Sequence, residues 1–176
     1  MTASEVTIYA QPLADILAAH AEWTLDPARG RRCRFRHVTL NEVEMRNANL
    51  SRSCFEGVML VEADLSDADL TGAELDSVDF GGALLSGADF SRAQLQHVEF
   101  LGSYLSAACF TEAKIDGCSF QQAGLEKAAF QDATIIHTDF TQAILSGALF
   151  HGAKLAVCDF SGFGTRENLP GFARQK

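Results

Sequence analysis

Large apolar residues recur at every fifth position through most of the chain. From Phe35 to Phe160, each of the 26 residues whose number is a multiple of five is Phe, Leu, Ile or Met. The residue two places before each is small or β-branched: 15 Ala, five Val, three Cys, two Ser and one Thr. The other three positions are mostly polar, and glycine is frequent two places after the large residue. The pattern predicts a chain that sends one large and one small side chain into its core every five residues.

A period of five matches neither an α-helix nor a flat β-strand, whose side chains repeat every 3.6 and 2 residues. It fits a coil that turns a corner at each unit, where glycine supplies a permissive backbone. From Phe80 to Phe160, Phe alternates with Leu or Ile, and this ten-residue period divides a four-sided coil of 20 residues but not a three-sided coil of 15. We therefore prefer four sides; a three-sided coil that stacks Phe on Leu is the alternative.

Individual units resemble a known repeat. Segments such as Ala63-Asp64-Leu65-Ser66 and Ala88-Asp89-Phe90-Ser91 are similar to the A(D/N)Lxx motif of the pentapeptide-repeat family. The resemblance covers residues 31–162 without an insertion. It implies an all-β fold, a right-handed quadrilateral β-helix. With one sheet spacing of about 4.8 Å per coil, the rod is expected to be roughly 30 Å long.

The two ends depart from the repeat. Residues 1–30 are predicted to form an N-terminal segment with a capping helix at about 11–24, whose first turn suits Pro12. Residues 163–176 have no helical period and are predicted to be an irregular cap or tail; the alternative is an open end that pairs with a second molecule. Some family members dimerise through a C-terminal helix, which this sequence lacks. One face of the predicted N-terminal helix is formed by Leu13, Ile16, Leu17 and His20.

Composition narrows the class of protein. The chain has 176 residues, 47% of them apolar, and a formal net charge of −9, which disfavours direct binding to nucleic acid. Five scattered cysteines without a CxxC pair indicate reduced thiols. We identify no signal peptide and no membrane-spanning stretch. These features predict a cytoplasmic protein that does not bind membranes.

Candidate chemistry is sparse. His37, His97 and His137 fall on one side of the four-sided coil, but His97 and His137 lie two coils apart, about 9.6 Å, too far to share a zinc ion. The cysteines are interpreted as packing residues, and no nucleotide-binding or nucleophile motif is present. The sequence therefore predicts no catalytic residues, no metal site and no cofactor. We expect a protein that is not an enzyme.

Two surface features remain as candidate interaction sites. In the four-sided coil one outward column contains Asp79, Glu99, Asp139 and Asp159, interrupted by Ser119, and a second column on the opposite side begins with Asp69 and Asp89. A third side presents an apolar stripe of Leu84, Tyr104 and Ile144, with Gly124 between the last two. Acidic columns are also expected in a soluble repeat, and isolated exposed apolar residues are common. Both features nevertheless favour contact with a protein partner.

We therefore predict a non-enzymatic rod that presents an acidic surface to a protein partner of unknown identity, with a homodimer through an end or the apolar stripe as a further expectation. The family resemblance implies an alternative. Quinolone-resistance members resemble double-stranded DNA in width and charge and bind DNA gyrase or topoisomerase IV, so this chain is alternatively a DNA mimic directed at a type II topoisomerase. Many such members carry loops that project from the coil, and no loop interrupts this repeat.

Overall fold

The computed structural model describes residues 7, 8 and 10–162, so the predicted C-terminal cap or tail at 163–176 lies outside the described residues. The chain forms a parallel β-solenoid preceded by a short hairpin and one helix. In chain order the elements are β1 (Thr7–Ile8), β2 (Gln11–Pro12), α1 (Leu13–Leu25), β3 (Arg34–Arg36), β4 (Cys54–Glu56), β5 (Glu74–Asp76), β6 (Gln94–Gln96), β7 (Lys114–Asp116), β8 (Thr134–Ile136) and β9 (Lys154–Ala156).

The register of the sheet gives the number of sides. Strands β3 to β9 form one seven-stranded parallel sheet in which each residue pairs with the residue 20 positions later, as Phe35 does with Phe55. Single bridges on the three other sides have the same offset, for example Asp79 with Glu99 and Leu84 with Tyr104. The four-sided coil is therefore confirmed, and the three-sided alternative is wrong.

The large residues fill the interior. Phe80, Phe100, Phe120, Phe140 and Phe160 stack on one side with ring centroids 4.6 to 5.2 Å apart, and the stack of Phe90, Phe110, Phe130 and Phe150 faces it edge-on. Most residues at the small inward position are Ala, and those Ala residues that occupy it between 63 and 133 are fully buried. Close packing of the large residues leaves little volume at this position, which favours small or β-branched side chains.

Each corner of the coil uses a left-handed backbone. Every residue two places after a large core residue, from His37 to Gly162, has a positive φ. The N–H of such a residue donates to a carbonyl of the next coil, as Ala107 does to Glu126 at 2.8 Å. At Gly102 a built Cβ would meet nothing within 4 Å, so the left-handed φ of 61° alone favours glycine there.

The helix covers the first coils, but its start differs from the prediction. It runs from Leu13 to Leu25 rather than from residue 11, because Gln11 and Pro12 pair with β1 and Pro12 has an extended ψ of 137°. Leu13 and His20 are buried, and Ile16 and Leu17 pack against the core. Among the described residues, no helix has the length and apolarity needed to cross a membrane.

His20 joins the helix to the solenoid. Its Nδ1 accepts a hydrogen bond from the Cys33 N–H, and its Nε2 lies 3.0 Å from the Ser51 carbonyl. Both contacts are satisfied by the neutral ring with the proton on Nε2. Burial lowers the pKa of His20, and this outweighs the opposing hydrogen bond to Ser51. Helical periodicity places His20 on the buried face, but its bonds to residues of the first two coils depend on the folded solenoid.

Candidate interaction surface

Each coil presents four faces. We identify each face by its outward column, which is formed by the residues directly before the large core residues. The strand face carries β3 to β9, and the apolar face lies opposite it. The acidic face and a fourth face lie between them, on opposite sides of the rod. Their outward columns are Asp79, Glu99, Ser119, Asp139 and Asp159 on the acidic face, Leu84, Tyr104, Gly124 and Ile144 on the apolar face, and Asp69, Asp89, Cys109, Ala129 and Leu149 on the fourth face.

The acidic column holds two pairs of adjacent carboxylates, Asp79 with Glu99 and Asp139 with Asp159, separated by Ser119. Bridges join Asp79 to Glu99, Glu99 to Ser119, Ser119 to Asp139 and Asp139 to Asp159, so these outward side chains follow one another at about 4.8 Å. In the part of the chain that the structure describes, no lysine or arginine lies within ion-pair distance of its four carboxylates. Within each adjacent pair the repulsion in water is about 0.9 kcal/mol at the coil spacing of about 4.8 Å. This repulsion by itself opposes folding.

Aspartates in these columns also cap the turns. Oδ1 of Asp79 accepts the N–H of Gly81 at 2.8 Å, and Asp139 accepts the N–H of Thr141 at 2.7 Å. Four other aspartates accept a hydrogen bond in the same way from the backbone N–H two residues later: Asp64, Asp69, Asp89 and Asp159. Glu99, one methylene longer, caps no backbone N–H among the described residues. This capping role was not predicted from the sequence, although Asp followed two places later by Gly, Ser or Thr is the signal of such a turn.

Asp139 has a second donor. The side-chain amide of Gln121, from the preceding coil, donates to its Oδ2, while the Thr141 N–H holds Oδ1. Partial burial raises the pKa of Asp139, but the hydrogen bonds from Thr141 and Gln121 outweigh it and bring the pKa below its ordinary value. This carboxylate is therefore charged at neutral pH.

The positive charges lie elsewhere on the rod. Arg92 pairs with Glu112 at 3.0 Å where the fourth face meets the strand face, and Arg46 pairs with Asp64 at 2.5 Å. On the strand face Arg32 reaches Glu74 at 3.0 Å, two coils away. Carboxylates beside these arginines are partly neutralised, whereas within residues 10–162 no lysine or arginine pairs with those of the acidic column.

The apolar face places its predicted residues together. Leu84, Tyr104 and Ile144 occupy one column and are 36%, 58% and 51% exposed. Gly124 lies between Tyr104 and Ile144; a Cβ built on it would meet only the Glu126 carboxylate at 3.2 Å and the Ser103 carbonyl at 3.9 Å. The Tyr104 ring therefore does not cover Gly124, and the column has a notch beside its most prominent side chain.

Histidines and cysteines are not brought together. His37, His97 and His137 are exposed at the edge of the strand face, where each lies within 3.9 Å of a carboxylate in a neighbouring coil. No group of three or more metal-ligating side chains occurs among the described residues. Burial raises the pKa values of Cys33 and Cys118 to about 12, so both thiols are protonated at neutral pH and are poor nucleophiles.

A 20-residue coil built from five-residue units defines a class of parallel β-solenoid, and comparison with known families identifies it. The model for the pentapeptide repeat region matches residues 28–108, and the model for pentapeptide repeats, in eight copies, matches residues 123–162. The chain belongs to the pentapeptide-repeat proteins.

Solved structures of the same kind are similar at low identity. A trypsin-treated form of QnrB1, a plasmid-mediated fluoroquinolone resistance protein, matches with 20% identity and a TM-score of 0.38, over 73% of this chain and 60% of that chain. HetL, a pentapeptide repeat protein involved in heterocyst differentiation regulation from the cyanobacterium Nostoc sp. strain PCC 7120, matches with 20% identity and a TM-score of 0.33, over 82% of this chain and 91% of that chain. A comparison with curated proteins found no match.

Proposed function

We propose that this protein acts by binding, in the cytoplasm, and that its acidic face docks against a basic surface of a protein partner. The observation that carries the proposal is the choice of Asp over Asn at the turn caps. Asn49 caps the N–H of Ser51 at 3.1 Å, so an amide performs this role in the same chain without a charge. Asp79 carries a charge at the same kind of cap, next to Glu99 in the column and despite the repulsion between them. The turn needs an acceptor oxygen and does not need a carboxylate.

The identity of Glu99 supports the same conclusion. It caps no described backbone N–H and is exposed between Asp79 and Ser119. A carboxylate there adds repulsion without a structural gain that the fold requires. Unpaired charges of one sign on one face raise the association rate with an oppositely charged partner and make binding sensitive to salt.

The spacing of the charges favours one particular partner class. Asp79 to Asp159 spans four coil spacings, roughly 19 Å, and carries four carboxylates. One strand of DNA carries one phosphate charge per about 3.4 Å. With Ser119 among its five positions the column carries one charge per roughly 6 Å, a little over half that density. A straight line of charges of one sign at this spacing makes a DNA-binding surface on a type II topoisomerase such as gyrase the second candidate function.

Variants in which carboxylates are replaced by amides test both functions, because Asn can still cap the turns. The acidic-face variant carries Asp79→Asn, Glu99→Gln, Asp139→Asn and Asp159→Asn. A matched control replaces four carboxylates on or beside the strand face: Glu56→Gln, Glu74→Gln, Asp76→Asn and Asp116→Asn. Wild-type and control proteins are expected to recover the same binding partner from a lysate of the source organism, and the acidic-face variant is expected to lose it. Equal recovery by the two variants would refute the role of the acidic face.

The topoisomerase is tested directly. Purified protein is added to a gyrase supercoiling reaction, with and without a fluoroquinolone, over a range of salt. Inhibition or drug protection at near-stoichiometric amounts, lost in the acidic-face variant and kept in the control, is the expected result of DNA mimicry. No effect at large excess would remove gyrase as the partner and leave the first function to the recovery experiment.

A further inference from the structure

The apolar face differs from the rest of the rod in charge as well as in shape. Across the four coils that carry Leu84, Tyr104, Gly124 and Ile144, the face comprises residues 82–87, 102–107, 122–127 and 142–147. Only Glu126 and Lys127 are charged among them, so this area is neutral in a chain whose net charge is −9. Two copies of an acidic protein repel each other least where neither copy carries net charge.

The order of residues in the column makes it complementary to itself. Tyr104 protrudes next to the open notch at Gly124, and an apolar side chain stands on either side of this pair, Leu84 before it and Ile144 after it. If a second rod is turned end for end about an axis between the coils of Tyr104 and Gly124, each Tyr104 faces the Gly124 notch of the other copy. Leu84 then faces Ile144 of the other copy at both ends.

The neighbouring column is compatible with the same arrangement. Ser106 donates to the Glu126 carboxylate at 3.0 Å within one chain, and the twofold axis brings the Ser106–Glu126 pairs of the two copies together. The other two members of this neighbouring column are Ser86 and Ser146, which are small and uncharged. No like charges are therefore opposed across the contact, apart from the two hydrogen-bonded Glu126 side chains near the axis.

We propose that the apolar face is the contact of a twofold symmetric, antiparallel homodimer in which Tyr104 of each copy fills the Gly124 notch of the other. A contact of this kind is isologous and closes without further growth. Four coils give a face only roughly 20 Å tall, smaller than a standard interface, so the dimer is weak and its dissociation constant is micromolar or higher. The acidic faces of both copies stay uncovered, so the inference does not depend on the proposed function.

The experiment is sedimentation velocity from micromolar to low millimolar protein on four proteins: wild type, Gly124→Ile, Tyr104→Gly, and the exchanged variant Tyr104→Gly with Gly124→Tyr. The backbone φ of Gly124 is outside the left-handed region, and the one close neighbour of an added Cβ is the flexible Glu126 carboxylate at 3.2 Å, so substitution there is compatible with folding. Circular dichroism melts verify that each variant is folded.

The wild type is expected to dimerise with concentration, and Gly124→Ile to weaken the dimer at least tenfold although it enlarges the apolar surface. Tyr104→Gly is expected to weaken it similarly, and the exchanged variant to restore it, because the protrusion and the notch again face each other. Association of Gly124→Ile equal to or stronger than wild type would overturn the proposal, since a nonspecific apolar patch behaves in that way. A wild type that is monomeric throughout would overturn it as well.

Discussion

Phe120 stands in the middle of the longer phenylalanine stack, and replacing it with alanine tests how strongly the stack holds the coils together. The side chain is fully buried, with Phe100 at 4.6 Å on one side and Phe140 at 5.0 Å on the other. Phe110 and Phe130 meet it edge-on at 5.6 and 6.0 Å. Four aromatic contacts are therefore lost at once.

The expected cost is at the upper end of the range for such substitutions. Phe→Ala changes in cores cost about 3–5 kcal/mol, and the cost depends on how far the neighbours relax into the cavity. Here the coils cannot close, because backbone hydrogen bonds from Phe100 to Ser119 and from Phe120 to Asp139, both 2.7 Å, hold their spacing. We expect about 4–5 kcal/mol in the free energy of unfolding. For a chain of this size that lowers Tm by roughly 8–20 °C.

The assay is urea unfolding followed by circular dichroism, combined with hydrogen exchange resolved by mass spectrometry. Repeat proteins transmit stability mainly between neighbouring units, so amide protection is expected to fall in the coils of Phe100, Phe120 and Phe140 and to stay close to wild type near Leu40. Phe120→Leu is the matched control, because Leu40 and Leu60 fill the same side of earlier coils; it is expected to cost about 1–2 kcal/mol. A Phe120→Ala cost below about 2 kcal/mol, or no larger than that of Phe120→Leu, would refute the reasoning.

Two further predictions concern pH and the turn caps. Burial lowers the folded-state pKa of His20, so the contact between helix and solenoid contributes its full stability above the unfolded pKa of about 6.5. That stability is lost as pH falls from there through the folded pKa. Fluorescence emission of Trp23, the only tryptophan, should report the loss because its ring stacks on His20 at 5.5 Å. Asp139→Ala should cost about 1 kcal/mol by removing the cap on Thr141, whereas Asp139→Asn should keep the cap. Urea unfolding compares the two variants.

Each of these has its own control. His20→Gln cannot titrate, so its Trp23 emission should be independent of pH over the window in which the wild type changes; a wild-type response that persists in the variant would assign the effect to another group. For Asp139 the pKa lies below its ordinary value, so the stability due to its charge is present above about 3.9 and lost as pH falls through the folded pKa. Asp139→Asn should lack that acid-dependent part, and an Asn variant as unstable as the Ala variant would contradict the role of the cap.

The amino-acid sequence by itself determined the solenoid and the inward or outward direction of each position, and it favoured four sides over three. This was possible because a five-residue unit without insertions assigns every position an inward or outward direction, and the ten-residue alternation of Phe with Leu or Ile divides a 20-residue coil but not a 15-residue one. The register of the sheet then confirmed the 20-residue coil. The columns of Asp79 and Leu84 follow from counting in steps of 20, and the bridges of the structure match them.

Only the tertiary structure decided what individual side chains do within that frame. Local pairing of Gln11 and Pro12 with β1 moves the start of the helix, and His20 finds its acceptor at Ser51, 31 residues later. The caps on Gly81 and Thr141 and the open notch at Gly124 depend on side-chain rotamers and on neighbouring coils. Periodicity determines direction along the chain, whereas hydrogen bonds and packing are set by which atoms the folded coils bring within contact distance.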